Sequence, residues 1–398
     1  MAPIPAHSEG RVEPFPPRRL TEVVARDPRI VAGLMTGTSM DGLDLVILRV
    51  PKGVPRRFEL LAHAHEPMPT ALRSALELQG ALSLAEACRL DRALGLWFAD
   101  ALERLVRSSG YLPDLVGSHG QTVFHEHGVI TCQLGEPAFL AERLRCPVVS
   151  DFRRNDVAAG GCGAPLVPVV DRWLLERPGE GVLTLNLGGI ANLSVLPPAE
   201  SGLPVLGFDC GPANMVIDEL ARRASDGRLA CDLDGRMAAG GRVDRALLDE
   251  LLADPRLARE PPLSLGREQF GAAFVEALLV RVRPTDARGW SDLLATATAF
   301  TAEAVARAVA RRVPEAYRPA VLVASGGGVR NPELMRRLAD ALAPLPVVPS
   351  DVLGLPAGLK EPIAFALLAS ARLDGIPAGL PEVTGAARPV LLGKITEA

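Results

Sequence analysis

Three glycine-rich stretches carry residue types suited to a charged, oxygen-rich ligand. The first lies within VAGLMTGTSMDGLDLVILRV, residues 31–50, and comprises Gly37, Thr38, Ser39, Met40, Asp41 and Gly42. Two hydroxyls, one carboxylate and the amides of a glycine-bounded turn sit between two apolar runs. Amides gathered in such a turn cradle anionic oxygens, and a nearby aspartate can hold a phosphate-bound Mg2+ through water. The GxxxxG spacing is that of a phosphate loop, yet Leu43 and Asp44 stand where Lys and Ser or Thr would follow. The next residues read as a strand, not as a helix whose N-terminus would receive phosphate. A P-loop is therefore rejected, and the GxGxxG dinucleotide fingerprint is absent. Alone, the stretch is an ordinary hairpin.

The pattern recurs. GVLTLNLGGIANLSVLP, residues 181–197, sets Gly188 and Gly189 between two β-rich runs, and Gly326, Gly327 and Gly328 follow a third in PAVLVASGGGVRNPELMRRLADALA. If the turns converge, two hairpins grip phosphate from two sides and the triple glycine lets backbone pass close to a flat nucleoside. Taken singly, each also reads as plain connection: a tight hairpin in which glycine permits positive φ, and a flexible strand-to-helix link.

The elements that position these turns follow from periodicity. RIVAGLM and LDLVILRV are β-rich runs around the first turn. LSLAEACRLDRALGLWFADALERLVRSSG is apolar at three- and four-residue spacing and closes on Ser-Gly, the mark of a helix. Asn331 caps a helix that Pro332 begins. Strands alternating with helices give an α/β fold. The first two glycine hairpins start about one domain length apart, which points to a duplicated α/β domain with a cleft between the copies.

Composition sets the bounds. A chain of 398 residues, 48% hydrophobic and 23% charged, suits two globular domains. A net charge of −4 without a block of Lys or Arg argues against nucleic acid and anionic membrane as partners. The six cysteines form no CxxC and fit reduced thiols of a cytoplasmic protein. The histidines are too dispersed for a metal cluster. No apolar run reaches the length expected of a membrane span. The Pro-rich start lacks the apolar core of a signal peptide, and residues 1–28 read as a mobile extension.

The ordered motifs GLMTGTSMDGLD, GSHGQTVFHE, SDFRRNDVAAGGCGAPLVP, LNLGGIANLS, GFDCGPANMVIDE, SGGGVRNPELMRRL, KEPIAFALLA and VTGA resemble those of anhydro-N-acetylmuramic acid kinases, from about residue 30 to the C-terminus. The resemblance implies two ribonuclease-H-like (actin-like ATPase) domains with a central nucleotide cleft, at residues 29–155 and 156–398. It implies ATP and Mg2+ as cofactors, a cytoplasmic homodimer, and bacterial cell-wall sugar recycling. In that reaction ATP and water open the 1,6-anhydro ring of anhydro-N-acetylmuramic acid, giving N-acetylmuramic acid 6-phosphate. Kinases of other anhydro sugars such as levoglucosan, and non-enzymatic ATP-binding proteins of the same fold, are the weaker alternatives.

The same resemblance assigns roles. Asp209 matches the catalytic aspartate that takes the proton of the attacking water; on its own it also reads as a turn aspartate before Gly-Pro. Residues Gly37 to Asp44, including Leu43, would hold the β- and γ-phosphates, with Gly188 and Gly189 opposite and Gly326 to Gly328 at the nucleoside. His119, Gln121, Thr122, Arg153, Asp156 and Glu361 would meet the sugar, a guanidinium pairing with its lactyl carboxylate. No residue is singled out as a metal ligand. The chain departs from the family pattern at Cys162, Asp171, Ala213, Leu263 and Leu265, which bears on the sugar more than on the reaction.

Overall fold

The duplication is repeated strand for strand. The computed structural model describes residues 15–37, 40–78, 82–259 and 265–398. The first unit comprises Met1–Gly163, Pro362–Ala378 and Val390–Ala398; the second comprises Ala164–Glu361 and Gly379–Pro389. The division at 155 expected from sequence thus falls at 163, and two C-terminal segments return to the first unit. Those segments supply an edge strand and most of the helix Lys360–Leu373.

The first unit holds β1 (Arg29–Thr36), β2 (Gly42–Val50), β3 (Glu59–Pro67), β4 (Leu115–Ser118), the side hairpin β5 (Gln121–Glu126) and β6 (Ile130–Leu134), and β7 (Val148–Ser150). The second holds β8 (Gly181–Leu187), β9 (Ile190–Leu196), β10 (Leu206–Pro212), β11 (Pro319–Ser325) and β12 (Val347–Pro349), and β13 (Lys394–Thr396) completes the first unit's sheet. The sheet orders are β13-β7-β4-β1-β2-β3 and β10-β9-β8-β11-β12. In both, an antiparallel meander of three strands continues through its first strand into two parallel ones. That is the ribonuclease-H-like order, present twice.

Local chemistry accounts for the helices. Leu84–Ser109 starts on a capping box between Ser83 and Glu86 and ends at Gly110, whose φ of 75° is left-handed. Its Leu90, Leu94, Phe98 and Leu102 recur every four residues and are buried in the first unit's core. The helix Pro332–Leu342 is capped by Asn331, whose side chain accepts from the Leu334 amide at 3.0 Å.

Two readings are corrected here. Residues 15–28 are ordered: Leu20–Ala25 is helical, Phe15 packs on the core, and Arg18 and Arg26 both meet the buried Asp114 carboxylate. A carboxylate taken out of water needs such cations. Residues 1–14 of the expected extension lie outside the described residues. The helix Ala287–Arg312 is long and apolar enough to cross a membrane by length and composition, although 72% of its apolar window is buried. It is the core helix of the second unit, packing on β10 and several helices.

Gly33 and Gly117 are register partners on β1 and β4. A Cβ at either would lie 2.0 Å from the Pro362 carbonyl oxygen or 2.2 Å from that of Phe365. The helical residues after Glu361 therefore lie almost on the sheet backbone, which only glycine allows. Gly117→Ala is expected to destabilise by about 1–3 kcal/mol through overpacking, read as a lower urea midpoint at unchanged slope. An unchanged midpoint would show that the helix can move away without cost.

Candidate active site

In each sheet the sequence-predicted residues collect where parallel strands end, the place α/β sheets use for ligands. In the first unit β1, β4 and β7 run parallel and are followed by Gly37–Asp41, His119–Gly120 and Asp151–Arg153. In the second, β8 and β11 are parallel, and β10 shares their direction because both β8 and β10 are antiparallel to β9. Gly188–Gly189 and Gly326–Gly328 lie at these ends, and Asp209–Gly211 lie within β10, before its last residue.

The first glycine turn is the expected hairpin. Met40 donates its amide to the Gly37 carbonyl at 3.2 Å and has a φ of 56°, left-handed for a non-glycine residue. Thr38 and Ser39 lie outside the described residues. Asp41 is exposed and its Oδ1 accepts from the Gly42 amide at 3.1 Å. Beyond the turn the pleat takes Leu43 fully into the core, and Asp44 Oδ1 meets His65 Nδ1 at 2.8 Å.

His119 and Arg153 are brought together. His119 donates from Nδ1 to the Gly120 carbonyl at 2.8 Å, which leaves Nε2 to accept from Arg153 Nε at 2.9 Å. That network assigns the neutral tautomer. Burial, reinforced by the Arg153 charge, pushes the imidazole well below its ordinary value of 6.5. Arg153 also donates from Nη1 to the Gly163 carbonyl at 2.9 Å. Three other predicted sugar contacts are otherwise engaged. Gln121 accepts from Thr36 Oγ1 and donates to the Gly37 and Thr122 carbonyls, each at 3.3 Å. It is buried and braces the start of the glycine turn. Thr122 Oγ1 accepts from Gln133 Nε2 at 3.2 Å. Asp156 is fully buried and accepts the Gly163 amide at 2.8 Å, closing the turn that follows it.

The second unit's sheet shows how one strand pattern serves both core and chemistry. Leu183, Leu185, Leu187, Ala191, Leu193, Phe208 and Cys210 pack into one core. The alternate residues Thr184, Asn186, Asn192, Ser194 and Asp209 face the other way. On that face Val182 and Leu196 belong to a small apolar cluster, so it is apolar at one end and polar at the other.

Asp209 is 8% exposed. Its Oδ1 accepts from Asn192 Nδ2 at 2.7 Å and its Oδ2 from the Leu265 amide at 2.6 Å. Asn192 is its register partner on β9, next to the bulge between Asp209 and Gly211. Burial raises the Asp209 pKa above the ordinary 3.8, and the two hydrogen bonds only partly offset it. The buried Arg312 donates to the carbonyls of Asp209 at 3.4 Å, Leu257 at 2.7 Å and Arg259 at 2.5 Å. Beside this carboxylate lies a cavity of about 150 Å3 lined by Asp171, Thr184, Asn186, Asn192, Ser194, Lys360 and Glu361, among others. Glu361 stands exposed in the first turn of the helix Lys360–Leu373, so the proline after it is accommodated.

The glycines differ in what they permit. Gly328 cannot carry a Cβ, which would lie 2.7 Å from Leu187 Cβ and 2.9 Å from Asn214 Oδ1. At Gly188 the nearest atom would be 3.7 Å away, and neither Gly188 nor Gly189 has positive φ. The Gly188 and Gly189 carbonyls accept from the amides of Asn214, Ala213 and Met215, fixing the turn against a helix start. The fold therefore gives no reason of its own for glycine at 188.

Sequence reasoning did not single out Asn192, the Leu265 amide, Lys360 or Arg312. Asn192 alone had a local signal, sitting within LNLGGIANLS at the register position facing a strand-end aspartate. The loss of a hydroxyl at Leu265 leaves its backbone bond intact. Leu263 lies outside the described residues. Ala213 precedes the helix Asn214–Ala224 with φ −124° and ψ −114°, a negative-φ position.

A family model described as anhydro-N-acetylmuramic acid kinase matches residues 29–398. An anhydro-N-acetylmuramic acid kinase from Caldanaerobacter subterraneus subsp. tengcongensis is 38% identical over 394 residues, covering 95% of this chain and 99% of that protein. One from Bordetella parapertussis is 44% identical over 377 residues, covering 92% and 96%. A solved structure, the activator of the 2-hydroxyisocaproyl-CoA dehydratase from Clostridium difficile with bound ADPNP, is 14% identical with a TM-score of 0.41, covering 86% of this chain and 95% of that one.

A histidine buried neutral makes stability depend on pH in one direction. The unfolded chain takes up a proton near pH 6.5 and the folded His119 does so only well below it. Its contribution is therefore level above that value and is lost as pH falls through and below it. Urea midpoints measured from about pH 7.5 to 5.5 should fall more steeply for the wild type than for His119→Gln. Parallel profiles would mean that the imidazole is accessible to protons in the fold.

Proposed function

This chain belongs to the anhydro-N-acetylmuramic acid kinase family, and from that premise we propose that Asp209 is the base of its reaction. The enzyme is an ATP-dependent kinase. Water opens the 1,6-anhydro bridge of anhydro-N-acetylmuramic acid and O6 takes the phosphoryl group, giving N-acetylmuramic acid 6-phosphate and ADP. As water attacks the anomeric carbon, the bridge C–O bond breaks and a proton leaves the water. A carboxylate with a raised pKa is the better acceptor for that proton. Asp209 combines burial with two donors among the described residues, on a strand fixed by its register, and this observation carries the reading.

Phosphoryl transfer asks for positioning and charge neutralisation. Gly37 to Gly42 and Gly188–Gly189 are assigned to phosphate, and Gly326 to Gly328 to the nucleoside. The room at Gly188 supports this: glycine is kept where the fold would accept a side chain, as close approach of a ligand requires. For Mg2+, the described residues gather no group of three or more His, Cys, Asp or Glu. That suits an ion held by phosphate, water and one carboxylate, and Asp41 is the carboxylate of this turn. When bound, the ion neutralises charge on the transferring group.

Arg153, oriented by neutral His119, is assigned to the lactyl carboxylate, and Glu361 to the sugar hydroxyls. Gln121, Thr122 and Asp156 support the turns that carry these groups. The resemblance also supports a cytoplasmic homodimer, and the six free cysteines fit a reducing compartment.

Asp209→Asn keeps the shape of the site, since a flipped Asn192 can accept from the new amide. It should abolish ADP release with the anhydro sugar while ATP binding by calorimetry persists. Unchanged turnover would reject the base. The acid limb of the wild-type kcat/KM profile should lie above pH 3.8, the ordinary aspartate value. Gly188→Ala should raise the KM for ATP about tenfold and leave the urea midpoint in place. A variant with normal ATP kinetics would remove this turn from the phosphate site.

A further inference from the structure

Lys360 is an ammonium in an unfavourable place. It is the first residue of the helix Lys360–Leu373, where the helix dipole disfavours a cation, and its side chain is only 9% exposed. Its counter-ion is Asp171, 3% exposed, whose Oδ2 accepts from Lys360 Nζ at 2.8 Å and from Thr184 Oγ1 at 2.6 Å. Asp171 Oδ1 is buried without a hydrogen-bond donor. Two charges have thus left water, one oxygen is unsatisfied, and the cation sits at the positive end of a helix. A well-packed apolar pair would serve stability as well or better, so stability alone does not explain the pair.

What the pair does join is specific. Thr184 lies on the same face of the second unit's sheet as Asn192, whose side chain holds Asp209. Lys360 is followed directly by Glu361, and Lys360, Asp171, Thr184, Asn192 and Glu361 line one cavity. From the sheet face that carries the base, the linkage runs through Thr184 and Asp171 to Lys360, and so to the backbone of Glu361. We propose that the Asp171–Lys360 ion pair is a positioning device that sets Glu361 against the Asp209 sheet face and thereby the geometry of sugar binding. Neither residue touches the reacting atoms. The inference rests on the assignment of Glu361 to the sugar.

The test is steady-state kinetics with anhydro-N-acetylmuramic acid and ATP on Glu361→Gln, Lys360→Met and the double variant Lys360→Met/Asp171→Asn, each with its thermal midpoint. The double variant removes both charges and keeps an acceptor for Thr184, so it folds even if the single one does not. A positioning role predicts that the double variant regains the wild-type midpoint, while its sugar KM stays raised by about tenfold and its KM for ATP stays within about twofold. A double variant with wild-type midpoint and wild-type sugar KM would overturn the proposal, reducing the pair to a structural contact. If Glu361→Gln itself leaves sugar KM and kcat unchanged, the assignment of Glu361 fails and the proposal with it. An impaired Glu361→Gln beside a normal double variant overturns the positioning role alone.

Discussion

A carboxylate that burial drives toward protonation organises the second unit, and the base role proposed for it asks that it keep its charge. Asp209 retains a usable charge through one carboxamide and one backbone amide. Both donors must therefore be fixed from elsewhere. Asn192 is fixed by the β9–β10 register. The Leu265 amide belongs to a stretch whose other end, Leu257 and Arg259, is held by Arg312, which also reaches the Asp209 carbonyl. One buried guanidinium thus ties the aspartate's backbone to the start of the segment that supplies its second donor. The position of Asp209 is a property of the sheet and its core helix.

The same economy runs through both sheets. Strand alternation sends leucines into one core and places Thr184, Asn186, Asn192, Ser194 and Asp209 on the opposite face. Parallel strand ends then bring residues distant in sequence to one edge. Glycines divide by purpose: Gly33 and Gly117 admit a helix, Gly328 avoids Leu187 and Asn214, and Gly188 leaves space that the protein itself does not fill. In the first unit a histidine made neutral by burial serves as an acceptor for Arg153 rather than as an acid or base.

Much of this was legible where the cause is local. The hairpins, the helix closed at Gly110, the Asn331 cap and the doubled α/β pattern follow from turn chemistry and periodicity read over short windows. Asp209 was singled out through its motif. What was not legible depends on partners far apart in the chain. Lys360 finds Asp171 at a separation of 189 residues, and Leu265 finds Asp209 at 56. The return of residues 362–378 to the first unit depends on two glycines accepting a helix, which no local pattern announces. Gln121, Asp156 and Leu43 are buried, which neither polarity nor motif position announces.

The departures from the family pattern can be judged by which atoms each position contributes. At Leu265 the contribution is an N–H, and at Ala213 it is the backbone turn into the helix Asn214–Ala224, so neither contribution comes from a side-chain group. Asp171 is different, because its side chain is used, and its charge is intelligible only together with Lys360. A residue that looks anomalous in sequence is here one half of a pair. Substitutions at backbone-serving positions leave the hydrogen bonds of Asp209 in place, whereas the buried charge of Asp171 is balanced by the Lys360 ammonium.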